Sequence, residues 1–260
     1  MKVVILAGGR GSRISEESDS KPKPMIEIGG QPILWHIMQH YAHYGFKEFV
    51  LALGYRADYI KRYIVDFCKL NANLTVKLSS GDVMRHDSNN SVDWTVELVD
   101  TGLNTQTGGR IKRLASFLGN ETFMMTYGDG VSDVNIKELV AFHKKAGKHA
   151  TLTAVRPPAR FGHMHFEGDL ITQFTEKPQT ESGWINGGFF VLEPEILEHI
   201  TGDETWFERD PLEKSAAARQ LNAYKHQGFW QCMDTLRDKR LLEELLVNGK
   251  APWLHRELTH

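Results

Sequence analysis

Two residues into the chain, the apolar run Val3-Val4-Ile5-Leu6 breaks directly into Ala7-Gly8-Gly9-Arg10-Gly11-Ser12-Arg13. A short unbroken apolar run bounded by glycines reads as a buried strand. Gly8, Gly9 and Gly11 free the backbone to take positive φ and to approach a ligand closely. Successive N–H groups in such a turn form an anion-binding concavity. Arg13, and Lys23 within Lys21-Pro22-Lys23-Pro24-Met25, bring positive charge to the same mouth. Strand, glycine loop and two cations together describe a phosphate site at the carboxyl end of a strand.

Two phosphate loops are excluded. No Gly-Lys-Ser/Thr closes this one, so it is not a Walker loop. Gly9-Arg10-Gly11 supplies G-x-G, but Ile14 stands where a dinucleotide fingerprint needs its third glycine.

Further along, strand and helix patterns alternate. Helical spacing covers Pro32–Tyr44, Tyr59–Leu70, Arg110–Leu118 and Ile136–Ala146, with strands expected at Phe49–Leu53, Leu74–Leu78, Thr95–Val99 and Phe123–Thr126. Such alternation implies right-handed βαβ units and a Rossmann-like, doubly wound, mostly parallel α/β sheet. Thr151–Val155, Ile171–Thr175 and Gly188–Leu192 have less helix between them, which suggests mixed or antiparallel additions forming a smaller β-rich extension. Late helices are expected at Pro211–Gln220 and Asp234–Asn248. Ser79–Asp93 reads as a polar surface loop, with an oligomer contact or an active-site lid as the alternatives. One domain over 1–260 is expected, in two halves, 1–133 and 134–260, the second ending in C-terminal helices.

Charge and cysteine content narrow the partners. A net charge of −2 offers no electrostatic reason to expect nucleic acid or an acidic membrane. No apolar stretch approaches a membrane span, and the start reads as a strand rather than a signal peptide. Cys68 and Cys232 have no metal-ligand spacing and suit a reducing, cytoplasmic setting.

Several polar residues fall where ligands bind. Asp129, in Tyr127-Gly128-Asp129-Gly130, lies just past a buried strand, on the ligand edge of a doubly wound sheet. By itself Gly-Asp-Gly is also an ordinary turn. Asp234 precedes an apolar helix and by itself reads equally as an N-cap. Thr107-Gly108-Gly109-Arg110 opens a helix whose free N–H groups could hold a phosphate or a base edge, and Arg110 could reach a phosphate. Glu176-Lys177 at a strand end is, taken alone, a solvated pair. Asn186-Gly187 is, taken alone, a turn. His36, His40 and His43 share one helix face; zinc is one reading, and a polar or interface face the better one.

Leu6-Ala7-Gly8-Gly9-x-Gly11-x-Arg13 with Pro22-Lys23-Pro24 resembles the signature of the sugar-1-phosphate nucleotidyltransferases. The likeness extends over nearly the whole chain. It implies the nucleotide-diphospho-sugar transferase fold, Mg²⁺ as cofactor held by Asp129 and Asp234, and Arg13 and Lys23 as catalytic cations. It further implies nucleotide contacts from Leu6, Ala7, Gly8, Gly9, Gly11, Ser12, Thr107, Gly109, Arg110 and Gly128. Sugar-phosphate contacts are implied at Gly162, Glu176, Lys177, Asn186 and Gly187. Pro32–Met38, Val99–Gly102, Thr107–Arg110, Thr126–Val131, Ile185–Phe190, Gly228–Gln231 and Ala251–Trp253 resemble the branch that joins CTP to glucose 1-phosphate, and the likeness makes 1–133 mainly the nucleotide-binding half and 134–260 mainly the sugar-phosphate half. That branch implies a homo-oligomer, a hexamer by resemblance. Phe161–Phe166 and Ser79–Asp93 depart from its pattern. Another NTP (dTTP or UTP), another sugar 1-phosphate, and a non-catalytic sugar-nucleotide-binding regulator are the alternatives; the last loses force because Arg13, Lys23, Asp129 and Asp234 are all kept.

Overall fold

The computed structural model describes residues 1–11, 21–86, 92–157, 163–167, 169–175 and 183–255. Strand β1 (Val3–Leu6) lies inside a seven-stranded sheet with all four side chains buried. It is followed by the two-residue pair β2 (Glu27–Ile28) and β3 (Gln31–Pro32), helix α1 (Ile33–His43), β4 (Glu48–Leu53) and α2 (Ala57–Leu70). The hairpin β5 (Asn73–Lys77) and β6 (Asp82–His86) precedes β7 (Thr95–Asp100), α3 (Thr107–Arg113) and α4 (Ala115–Leu118). Then come β8 (Phe123–Tyr127), β9 (Gly130–Ser132), α5 (Ile136–Ala146) and β10 (Ala150–Val155). A second hairpin, β11 (His163–Glu167) and β12 (Leu170–Thr175), leads to β13 (Ile185–Leu192). Helix α6 (Asp210–Ala217), β14 (Leu221–Lys225), β15 (Trp230–Cys232) and α7 (Leu236–Val247) follow.

The sheet order is β14-β10-β13-β8-β1-β4-β7. β8, β1, β4 and β7 are mutually parallel, and β13 runs against both of its neighbours. From β1 the chain builds outward through β4 and β7, then returns so that β8 lies on the other side of β1. That reversal opens a crevice at the carboxyl ends of β1 and β8.

Alternation along β1 divides the core. Val3 and Ile5 pack with Ile33, Ile37 and Tyr41 of α1, while Val4 and Leu6 pack with Ile111, Leu114 and Phe207 on the opposite face. Each such side chain contributes about 1.5–3 kcal/mol of burial. Local signals set the helix ends. Asn135 accepts from the Glu138 N–H at the start of α5, and Gly147 closes it at φ 57°. Thr235 and Asp238 form a capping box, so α7 starts at Leu236 rather than at Asp234.

Three expectations change. Leu74–Leu78 is not part of the seven-stranded sheet; among the described residues β5 pairs only with β6, and both strands are largely exposed. Polar residues alternate along β5, so it could not be buried on both faces as the central strands are. Part of Ser79–Asp93 is therefore strand, and 87–91 lies outside the described residues. Thr151–Val155 and Gly188–Leu192 belong to the main sheet, not to an extension, because Gly187–Leu192 is buried throughout. Only β11 and β12 stand apart there. β14 and the β9–β15 pair gave no sequence signal long enough to read.

The histidine face of α1 is internal. His36 donates from Nε2 to the Ile28 carbonyl (2.9 Å) and accepts at Nδ1 from Trp253 (3.3 Å). His40 donates from Nε2 to the Val134 carbonyl (2.9 Å) and accepts at Nδ1 from His255 (3.2 Å). The His43 ring stacks on His255 at 3.5 Å. Both ring nitrogens of His36 and His40 are thus used in the neutral form, stitching the segment after α7 to α1. Among the described residues no group of three or more His, Cys, Asp or Glu is arranged to hold a metal. Among them, too, no helix is long and apolar enough to cross a membrane.

Burial lowers the pKa of His36, and burial together with His255 lowers that of His40 to about 3. Folded-state values below the unfolded ~6.5 mean that stability is full above that pH and is lost as pH falls toward 3. His43 and His226 also face His40 and add to the repulsion. For His40 the slope should approach about 1.4 kcal/mol per pH unit as pH falls well below 6.5, and His36 acts in the same direction. Urea melts at pH 6.5, 6.0, 5.5 and 5.0 measure it, and His40→Gln should remove one proton's share. An unchanged slope in that variant would reject the assignment.

Candidate active site

A cleft of about 860 Å³ lies at the carboxyl ends of β1 and β8. Leu6, Ala7, Gly8, Gly9 and Gly11 come from the first loop, with Gly11 at φ 65° as its turn requires. Gly128, Asp129 and Gly130 follow β8. Gly128 lets the loop pack close, since a Cβ there would lie 3.0 Å from both the Leu6 carbonyl oxygen and Pro24. Asn186 and Gly187 enter from β13, and Asp234 from the turn before α7.

The floor carries an ion triad. Lys23, held in a short 3₁₀ turn between Pro22 and Pro24, places Nζ 2.6 Å from Asp129 Oδ2 and 2.5 Å from Asp234 Oδ1. Its side chain is 8% exposed, against 28% for Asp129 and 14% for Asp234. Burial opposes the ammonium charge, yet the two carboxylates outweigh it and hold the Lys23 pKa above its usual value. Cys232 sits beside the triad, and burial with the Asp234 and Asp129 charges pushes its thiol up to about 12. A thiol so suppressed is no nucleophile.

The far wall is a hydrogen-bonded relay. Glu208 accepts from the Tyr127 hydroxyl (2.7 Å) and from Thr107 Oγ1 (2.6 Å). Asn186 accepts from the Gly188 N–H (2.8 Å) and donates toward the Tyr127 hydroxyl at 3.4 Å. Burial and the Glu208 charge raise the Tyr127 pKa. Trp230 donates to the Gly187 carbonyl (2.7 Å). Glu208, Tyr127 and Trp230 all line the cleft and were not singled out in the sequence. Tyr127 and Trp230 could have been found beside the aspartate motifs, whereas Glu208 has no local signal.

Two expectations at the start of α3 are corrected. The N–H groups of Gly108 and Gly109 donate to the Thr205 carbonyl (2.9 and 3.3 Å), so they are not free for a ligand. Gly109 lies outside the cleft, and a Cβ on it would meet Asp203 at 2.6 Å, so this glycine serves packing. Arg110 does line the cleft, but its guanidinium is turned onto protein oxygens. Nη1 reaches the Leu53 carbonyl (3.1 Å), Thr101 Oγ1 (2.8 Å) and the Gly102 carbonyl (2.7 Å). Nη2 reaches the Gly8 (3.1 Å) and Leu103 (3.4 Å) carbonyls. Burial lowers its pKa, with Asp100 acting the other way. Ser12, Arg13, Gly162, Glu176 and Lys177 lie outside the described residues.

A cleft lined by a glycine loop at the switch point of a doubly wound sheet, floored by one lysine and two aspartates, defines a nucleotide-handling α/β protein. The model of the nucleotidyl transferase family matches residues 2–235, and the chain belongs to that family. It is 48% identical to the glucose-1-phosphate cytidylyltransferase of Salmonella typhi, over 97% of this chain and 98% of that protein. It is 39% identical to the probable glucose-1-phosphate cytidylyltransferase of Bacillus subtilis (strain 168), over 97% and 99% respectively. Among solved structures, HddC from Yersinia pseudotuberculosis complexed with GMP-PN superposes with a TM-score of 0.68 at 25% identity, covering 94% of this chain and 99% of that one.

Proposed function

We propose that this chain transfers a cytidylyl group from CTP to α-D-glucose 1-phosphate, giving CDP-glucose and pyrophosphate. The observation that carries this reading is near full-length likeness to enzymes named for that reaction, on a chain whose cleft converges Lys23, Asp129 and Asp234.

A sugar-phosphate oxygen attacks the α-phosphorus in line. One P–O bond forms as the bond to the bridging oxygen of the β-phosphate breaks. The phosphate nucleophile is already ionised near neutral pH, so no general base is needed. What remains for the protein is positioning and charge neutralisation. The glycine loop cradles the triphosphate, and Lys23 moves onto the α-phosphate oxygens. Arg13 grips the departing β- and γ-phosphates with its fork of donors. Lys177 orients the incoming phosphate and Glu176 accepts from sugar hydroxyls, with Gly162, Asn186 and Gly187 closing on the sugar.

Asp129 and Asp234 suit Mg²⁺, which takes one or two carboxylates and fills its remaining positions with phosphate oxygens and water. When bound, it neutralises charge on the triphosphate. Their approach to one cation, Lys23 Nζ, is the feature that makes the pair suitable. A cytoplasmic homo-oligomer belongs to the same reading.

Pyrophosphate release with Mg²⁺ and glucose 1-phosphate, across CTP, dTTP, UTP, ATP and GTP, is the test. CTP is expected to lead in kcat/KM by about 100-fold or more, since a hydrogen-bonded base edge rejects analogues that leave it unpaired. A lead for another NTP discards the base assignment. No release with any NTP, across glucose, mannose, galactose and heptose phosphates, discards the transferase reading.

A further inference from the structure

Lys23 occupies the position a divalent cation would compete for. Its Nζ takes one oxygen from each of the two carboxylates. Its side chain is nearly buried, on a backbone held between two prolines, so it does not simply drift into solvent. An incoming cation must therefore break two charge-assisted bonds in a partly desolvated place, and breaking them strands a buried ammonium. A phosphate oxygen removes that penalty, because it gives the ammonium a new anionic partner within the same cleft.

We propose that Lys23 is an internal counter-cation that closes the Asp129–Asp234 pair to divalent metal until a nucleoside triphosphate arrives. This rests on the metal and nucleotide assignments above. Metal and nucleotide then bind with positive coupling, and by linkage each tightens the other equally. The productive ligand is the metal–nucleotide complex, and free metal alone does not load the site.

Mn²⁺ binding to the full chain, followed by EPR at pH 8, tests this without reading turnover. In the wild type, α,β-methylene-CTP should tighten Mn²⁺ by about 5- to 150-fold, the usual range of such coupling. Lys23→Met should bind Mn²⁺ tighter than the wild type when no nucleotide is present, and its tightening by the analogue should shrink. Equal Mn²⁺ affinity of the wild type with and without the analogue overturns the proposal whatever the variant does. So does a Lys23→Met protein that melts cooperatively yet binds Mn²⁺ no better. If Asp129→Asn and Asp234→Asn leave Mn²⁺ affinity untouched in the presence of the analogue, the metal assignment falls and the proposal falls with it. Intact coupling without any CDP-glucose formation would instead leave the proposal standing and reject the proposed reaction.

Discussion

Arg110→Met should destabilise the fold by about 3–5 kcal/mol, the cost of leaving buried polar partners uncompensated. For a chain of this size that is a fall of about 10 °C in Tm. The guanidinium binds the Gly8 carbonyl after β1, the Leu53 carbonyl at the end of β4, and Thr101, Gly102 and Leu103 after β7. It therefore ties together the carboxyl ends of three parallel strands on the edge where ligand binds. Met keeps the stem and removes every donor. Lys restores one charge but cannot span three loops, so Arg110→Lys should recover only part of the loss. Gly8 and Gly54 make room for this brace, since a Cβ on either would lie 2.2 or 2.4 Å from Nη1. If the brace also sets the phosphate loop, KM for the nucleotide should rise about tenfold or more at a temperature where Arg110→Met remains folded, with kcat less affected. A lower Tm with an unchanged KM would show that Arg110 supports the fold and nothing more.

Arg110 also marks where sequence reading stops. Its position at the start of a glycine-rich helix suggests a phosphate ligand, because local sequence does not show which carbonyls fold back onto it. Gly8 reads as a ligand-facing glycine, yet the group pressed against it is Arg110. The central strands were legible because burial on both faces leaves an unbroken apolar run, as in Val3–Leu6 and Phe123–Thr126. Leu74–Leu78 has a strand pattern too, and nothing within it shows that its partner is the adjacent β6 rather than the sheet. Asp129 and Asp234, 105 residues apart, read alone as a turn and an N-cap, and only the family resemblance put them in one site. Their joint hold on Lys23 is a tertiary fact, written in no local window. Glu208 is the extreme case: its role comes wholly from Tyr127 and Thr107, which meet it from distant parts of the chain.

The triad yields a second large effect whose two halves carry opposite signs. Asp234→Asn should lower kcat by about 10²–10³-fold, the scale of removing one preorganised charge-stabilising group. Lys23→Met should lower it at least as far. Stability should part the two variants. One ammonium against two carboxylates leaves a net negative charge in a place with little solvent. Asp234→Asn brings that balance to zero, keeps an oxygen for Nζ and preserves volume. Its stability should hold or rise, by up to about 1 kcal/mol, as expected where function has been favoured over stability. Lys23→Met removes the ammonium that both carboxylates bind and should cost about 3–5 kcal/mol. Thermal melts without ligand, paired with steady-state kcat, read both halves at once. A Tm that falls by several degrees in Asp234→Asn, with kcat retained, would make this aspartate a structural partner of Lys23 and remove it from the reaction. The expected pattern, activity lost in both variants and stability lost only in Lys23→Met, identifies the lysine as the group that keeps an otherwise repulsive anionic pair assembled before any substrate arrives.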